Sequence, residues 1–226
     1  MIAEHLFWPY LVASIVCIAS PGPDSLSVLS IGLARGRREA MQFALGVGTG
    51  CLTHTLWAAL GVAAVVAASE NLFTAIKLAG AAYLLWLGVA ALRSPGATIG
   101  RTGPLPGSGA EQIPQAPGTP REPGRGLRRF VQGFVNNSLN PKVMLFFIAF
   151  LPQFVDPALG PASLQMLELG AGFALMTAAS YVLLGAASGR VGEAFVRRPA
   201  LARYLDRLVG MLFIGLAARL ALSERA

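Results

Sequence analysis

Apolar residues run almost without interruption from Leu6 to Leu33, and again over 40–68, 72–92, 130–154, 163–187 and 201–222. Each block has the length a helix needs to cross a bilayer, roughly 20 residues. Hydrocarbon offers no water to backbone N–H and C=O groups, so only helices and closed barrels span it. The blocks are continuous rather than alternating, which selects helices. Charged residues make up 13% of the chain, where a soluble domain carries about 25%. The sequence therefore predicts an all-α integral membrane protein with six transmembrane helices.

The net charge of +7 would suggest nucleic acid in a soluble protein. Here the basic residues mark topology instead. All but Lys77, Lys142, Arg219 and Arg225 lie in or beside three connections: Arg35–Arg38, Arg93–Arg129 and Arg190–Arg207. The alternate connections, "ASENLF" and "PQFVDPALGPAS", hold no Lys or Arg. Excess Lys and Arg stay on the cytoplasmic side. The expectation is a multi-pass protein of a bacterial-type inner membrane with both termini outside the cytoplasm. The basic-poor N-terminus also lacks the charged start of a cleaved signal peptide.

Two of the blocks are broken. The first carries "SPGPD" (Ser20 to Asp24) and the fourth "NNSLNPK" (Asn136 to Lys142). Proline removes an N–H donor and clashes with the preceding turn, so backbone groups are freed at membrane depth. Such groups are tolerated only against protein or a water-filled cavity. A Pro- and Gly-rich linker over 93–128 separates a first repeat, 1–92, from a second, 129–226, each with three spans. An odd span number inverts the second repeat against the first. Interrupted helices at matching places in inverted repeats point to the midplane site of a secondary transporter. The fold expected is two inverted three-helix repeats with broken first and fourth helices.

These residues carry a resemblance. "PGPD" in the first span, "NPKVMLFFIAFLPQFV" in the fourth and six apolar blocks over the whole chain resemble the LysE/RhtB superfamily of amino-acid exporters. The resemblance implies efflux of amino acids or close derivatives by proton antiport. The 93–128 linker is longer than the resemblance leads one to expect.

The candidate substrate-binding residues are Pro21, Gly22, Pro23 and Asp24 at one break and Asn136, Asn140, Pro141 and Lys142 at the other. A carboxylate at membrane depth is costly and normally faces a partner or cavity. Asp24 would bind a substrate ammonium or carry a coupling proton; the plainer reading makes it the N-cap of the half-helix that follows. Lys142 would pair with Asp24 or meet a substrate carboxylate; otherwise it reaches for a headgroup. Asn136, Asn137, Ser138 and Asn140 can satisfy freed backbone or bind substrate. His54, mid-span, is a second proton-coupling candidate, or a neutral histidine bonded to a neighbouring helix. Gly46 with Gly50, and Gly185 with Gly189, form GxxxG patterns that suit close helix packing. Trp8, Tyr10, Trp57, Tyr83 and Trp86 are read as belt or packing residues.

Other classes have less behind them. A membrane thiol oxidoreductase needs paired thiols, whereas Cys17 and Cys51 lie in the first and second spans. No nucleophile–base set, HExxH or GxSxG marks a hydrolase, so no enzyme is expected. The alternative is a cation or other small-metabolite exporter or channel, for which Asp24 alone is thin. No P-loop, metal set or cofactor motif occurs. The partners expected are a small-molecule substrate, an amino acid, and the lipid bilayer, not nucleic acid. Glycine-rich faces would serve a homodimer as well as the fold itself.

Overall fold

The computed structural model describes residues 3–20, 22–68, 70–93, 124–191 and 199–222. Pro21 and all of the 93–128 linker except Arg93 and 124–128 lie outside them. Among the described residues every regular element is helical. In chain order these are α1 (Glu4–Ala19), α2 (Pro23–Arg35), α3 (Arg37–Ala68), α4 (Glu70–Arg93), α5 (Arg125–Ser138), α6 (Pro141–Leu145), α7 (Ala162–Ala186) and α8 (Pro199–Leu222). After α6 the chain tightens and loosens through a π-turn, Phe146–Phe150, and 3-10 turns at Leu151–Phe154 and Pro157–Leu159.

Both expected breaks are present. At the first, α1 and α2 meet at 49°. Gly22 is the extended N-cap of α2, and Pro23 occupies the first helical position, where a missing N–H costs nothing. The Ser25 hydroxyl reaches back to accept from the Gly22 N–H at 3.0 Å. At the second, Asn140 caps α6 and Pro141 opens it. This break is narrower than the sequence suggested. Asn136, Asn137 and Ser138 remain helical, and the chain turns only at Leu139 and Asn140. The turn between α2 and α3 depends on Gly36, whose φ of 92° favours glycine.

Residues 37–61 of α3 and Ala162–Ala186 of α7 are each long and apolar enough to cross a bilayer, and the bent α1–α2 pair would be a third span. Within α4, Leu78–Arg93 forms a shorter apolar stretch. The expected fourth span differs most from its reading. Its first part, α5, is a 14-residue helix that starts at Arg125 and carries three arginines, a glutamine and two asparagines. Packing against α3 buries Arg129 and Asn137, while Arg128 stays exposed.

That packing is backbone on backbone. A Cβ on Gly46 would fall 1.9 Å from the Phe130 carbonyl oxygen, and one on Gly133 would fall 2.0 Å from that of Phe43. Gly50 faces Phe134 and Asn137 in the same seam. The Gly46–Gly50 pattern thus does the close packing expected of it. The second pattern does so only in part: Gly185 abuts Ala40 and Met41, but a Cβ on Gly189 would meet nothing within 4 Å. The broadest contacts join α3 to α7 and α5, and α4 to α8. Gly88 and Gly210 let the α4–α8 pair close at 2.8 and 2.7 Å in the same sense.

The core between these helices is aromatic. Phe146 and Phe147 from the segment after α6 meet Phe173 of α7, with ring centroids 5.1 and 5.2 Å apart, and Phe150 and Phe154 extend the cluster from Phe146. Outward-facing positions are apolar too. Trp8, Trp57 and Trp86 are exposed, as are Leu56, Leu60, Leu175 and Leu183. Apolar exposure on this scale suits a lipid-facing surface. Tyr10 takes the packing alternative: it is buried, and its hydroxyl donates to the Leu169 carbonyl at 2.7 Å.

Candidate functional site

The two breaks come together. Asp24, in the first turn of α2, is only 2% exposed. Three amides from the other break hold its carboxylate. Asn136 Nδ2 donates to Oδ1 at 2.7 Å; Asn137 Nδ2 and Asn140 Nδ2 donate to Oδ2 at 2.9 and 2.7 Å. The positive end of the α2 dipole lies under the same carboxylate. Three neutral donors and a helix terminus thus hold a buried anion without a directly bonded cation.

Lys142 goes elsewhere. Its Nζ donates to the Ser20 carbonyl at 3.0 Å and the Cys17 carbonyl at 3.1 Å. These carbonyls lie at the C-terminal end of α1, where helix geometry leaves acceptors unpaired and the dipole is negative. The expected Asp24–Lys142 ion pair is therefore not formed: the carboxylate is held by the three amides and the ammonium by the two carbonyls. Helix-end electrostatics outweighed simple charge pairing. Each ionised group sits at the helix terminus of opposite sign, and both termini belong to the first break.

Two further acceptors near the end of α1 are also occupied. Tyr181 of α7 donates its hydroxyl to the Ile18 carbonyl at 3.1 Å, and the Ser20 N–H closes on Val16. The break is thus sealed largely by side chains of α6 and α7. Gly22 is part of that seal, since a Cβ there would lie 2.9 Å from Lys142 Nζ.

Asn140 serves both breaks. Its Oδ1 accepts from the Lys142 N–H at 3.0 Å, which caps α6, while its Nδ2 holds Asp24. Asp24 itself is not the N-cap of α2; Gly22 is. His54 of α3 is buried, and its Nε2 lies 2.8 Å from the Asn137 carbonyl. A carbonyl only accepts, so Nε2 carries a proton in this bond. His54 thus ties α3 to the end of α5 that carries the amides.

Of the candidates, Gly22, Asp24, Asn136, Asn140 and Lys142 converge, with Pro23 and Pro141 opening the two half-helices. Pro21 lies outside the described residues. Asn137 is the most buried of the three amide donors and stands beside Asn136 in sequence. Its Oδ1, and the Thr177 hydroxyl of α7, are buried without a hydrogen-bond partner among the described residues. Tyr181 and Thr177 had no signal in the sequence beyond being polar in an apolar block. No cluster of three or more metal-ligating side chains occurs among the described residues.

A second polar cluster marks one end of the molecule. Glu39, at the start of α3, accepts from Arg129 Nε at 2.8 Å and lies 3.5 Å from Arg125. Arg129 also donates to Gln132 Oε1 at 2.6 Å. Burial first, and then the neighbouring Arg129, lower the pKa of Arg35 from its usual value. Arginines that are far apart in sequence thus gather at one end. Toward the other end, Gln165 fixes the 155–160 turn. Its Nε2 donates to the carbonyls of Asp156 and Gly160, and its Oε1 accepts from the Asp156 N–H.

Comparison with known proteins adds to this geometry. The family described as LysE type translocator matches residues 15–224. An uncharacterized membrane protein of Pseudomonas aeruginosa is 35% identical over 95% of this chain and 94% of its own. A protein of Enterobacter sp. named leucine efflux protein is 32% identical over the same shares. One of that name from Salmonella typhimurium is 28% identical, again over 95% of this chain and 94% of its own. No solved structure matches the chain.

Proposed function

The chain belongs to the LysE type translocator family, and from that premise we propose that it exports aliphatic amino acids, leucine foremost, by proton antiport across the inner membrane. It works as a transporter and not as an enzyme. The observation that carries this reading is the buried Asp24 of one broken helix, held by Asn136, Asn137 and Asn140 at the other. Relatives named leucine efflux proteins support the substrate class. The aromatic cluster that begins four residues after Lys142 supports an apolar side chain in the site.

The proposed mechanism is competition for one carboxylate. Facing the cytoplasm, ionised Asp24 exchanges amide donors for the substrate ammonium. The substrate carboxylate draws Lys142 from the carbonyls of Cys17 and Ser20. Facing outward, a proton neutralises Asp24 and the ammonium leaves. The proton is released on return, so proton and substrate move in opposite directions. His54, through its bond to Asn137, positions the amide cage rather than carrying the proton.

Six spans in two inverted repeats suit this mechanism. The arrangement is supported by the matching breaks α1–α2 and α5–α6, and by the equivalent helices α3 with α7 and α4 with α8 packing on each other. The gathered arginines at the Glu39 end support that end as cytoplasmic, with both termini outside. The test is uptake of labelled amino acids into everted membrane vesicles with an acid interior. Saturable, gradient-dependent accumulation of leucine in preference to lysine, serine or glutamate is expected. No accumulation above vesicles without the protein would refute the amino-acid reading and leave the cation or other small-metabolite alternative.

A further inference from the structure

Two helical turns beyond Asp24, about 12 Å along α2, a cavity of about 580 Å³ opens where α2 ends, α3 begins and α7 runs into a further turn. Gly32 and Ser188 form its floor. They touch so closely that a Cβ on Gly32 would lie 2.1 Å from the Ser188 hydroxyl. Arg37 and Arg190 stand at the mouth, both exposed, and neither has an ion-pair partner among the described residues. Glu39, the nearest acid in sequence to Arg37, is already held by Arg125 and Arg129. The side wall is apolar: Leu183 is 69% exposed and Ala186 is exposed with it.

We propose that this cleft binds one anionic phospholipid, with its phosphate between the guanidinium groups of Arg37 and Arg190 and an acyl chain along Leu183 and Ala186. The lining fits an amphiphile with one anionic group. Guanidinium forks match phosphate oxygens in geometry and charge. Basic pockets between membrane helices are suited to anionic headgroups. A zwitterionic amino acid fits poorly, because among the described residues the lining offers no carboxylate to meet an ammonium. Free phosphate would leave the apolar wall without a role.

The test is lipid retention by the purified full-length chain in detergent. Bound lipid is counted by native mass spectrometry, with phosphatidylglycerol, phosphatidylcholine, inorganic phosphate and leucine as probes. Wild type is expected to hold one phosphatidylglycerol, to discriminate against phosphatidylcholine, and to keep the lipid in millimolar phosphate or leucine. Removing one arginine, as Arg37→Gln or Arg190→Gln, should weaken retention about fivefold, and removing both about 25-fold. Arg37→Lys with Arg190→Lys should keep most of it, which separates lost charge from lost folding. Equal retention in wild type and the double Gln variant would overturn the proposal. So would displacement by phosphate, which would mean a free-anion site, or by leucine, which would mean a substrate vestibule. Equal binding of phosphatidylcholine would reduce the cleft to a nonspecific lipid groove.

Discussion

Asn140 and Asp24 lie 116 residues apart and are joined by a 2.7 Å hydrogen bond, while the other end of the same amide caps the helix that follows Pro141. One side chain therefore links the two helix breaks. Asn140→Ala removes the cap, worth about 1 kcal/mol, and one bond to a carboxylate, worth roughly 1.5–3 kcal/mol. Asn140→Asp keeps the cap but sets a carboxylate against Asp24. The aspartate variant is expected to be the less stable of the two at neutral pH and to recover as pH falls. Thermal unfolding in detergent across pH values checks this.

Lys142→Met strips the donor from two buried carbonyls, Cys17 and Ser20. An unsatisfied buried acceptor costs about 1–3 kcal/mol, so the variant should unfold markedly earlier than wild type. Gly22→Ala is the finer probe, because its Cβ presses only on the end of the Lys142 side chain. It should fold nearly as well as wild type and transport more slowly. Unfolding midpoints and uptake rates measured on the same preparations distinguish the two effects.

The break positions were legible in the sequence because proline and glycine act locally. The partners of Asp24 were not, since they come from more than a hundred residues away. Charge alone suggested Lys142. It could not show that α1 would present a row of unpaired carbonyls to that ammonium. Similarly, α5 reads as part of an apolar block only from Phe130 onward. Its arginine-rich start becomes helical because Glu39 of α3 is there to meet it. The GxxxG at Gly46 was legible as a contact, but its partner was not. Helix spacing predicts a groove without naming what lies in it.

The α3–α5 seam yields a sharp contrast among glycines. Gly46→Ala and Gly133→Ala drive a methyl into a neighbouring carbonyl, at 1.9 and 2.0 Å. Backbone cannot yield as a side chain tip can, so a cost of roughly 3 kcal/mol or more is expected. Gly61→Ala meets nothing within 4 Å and should be neutral or stabilising by up to about 1 kcal/mol. The fraction of monodisperse protein by size-exclusion chromatography reads the difference.

Glu39→Gln leaves the largely buried Arg129 bonded to neutral amides alone, with no carboxylate opposite its charge. A loss of about 2 kcal/mol is expected from the weakened charged hydrogen bond. Because the pair is shielded from solvent, that loss should change little between low and moderate salt. A double-mutant cycle of Glu39→Gln with Arg129→Gln, followed by thermal unfolding, measures the coupling.

The central claim is that proton and substrate compete for Asp24. Labelled leucine uptake into acid-inside everted vesicles, comparing wild type with Asp24→Asn, tests it most directly. The account predicts gradient-driven accumulation in wild type and its loss in Asp24→Asn, with the variant present in the membrane at a comparable amount. Accumulation by Asp24→Asn at the wild-type rate and extent would contradict it and leave Asp24 as a structural anchor of the two breaks.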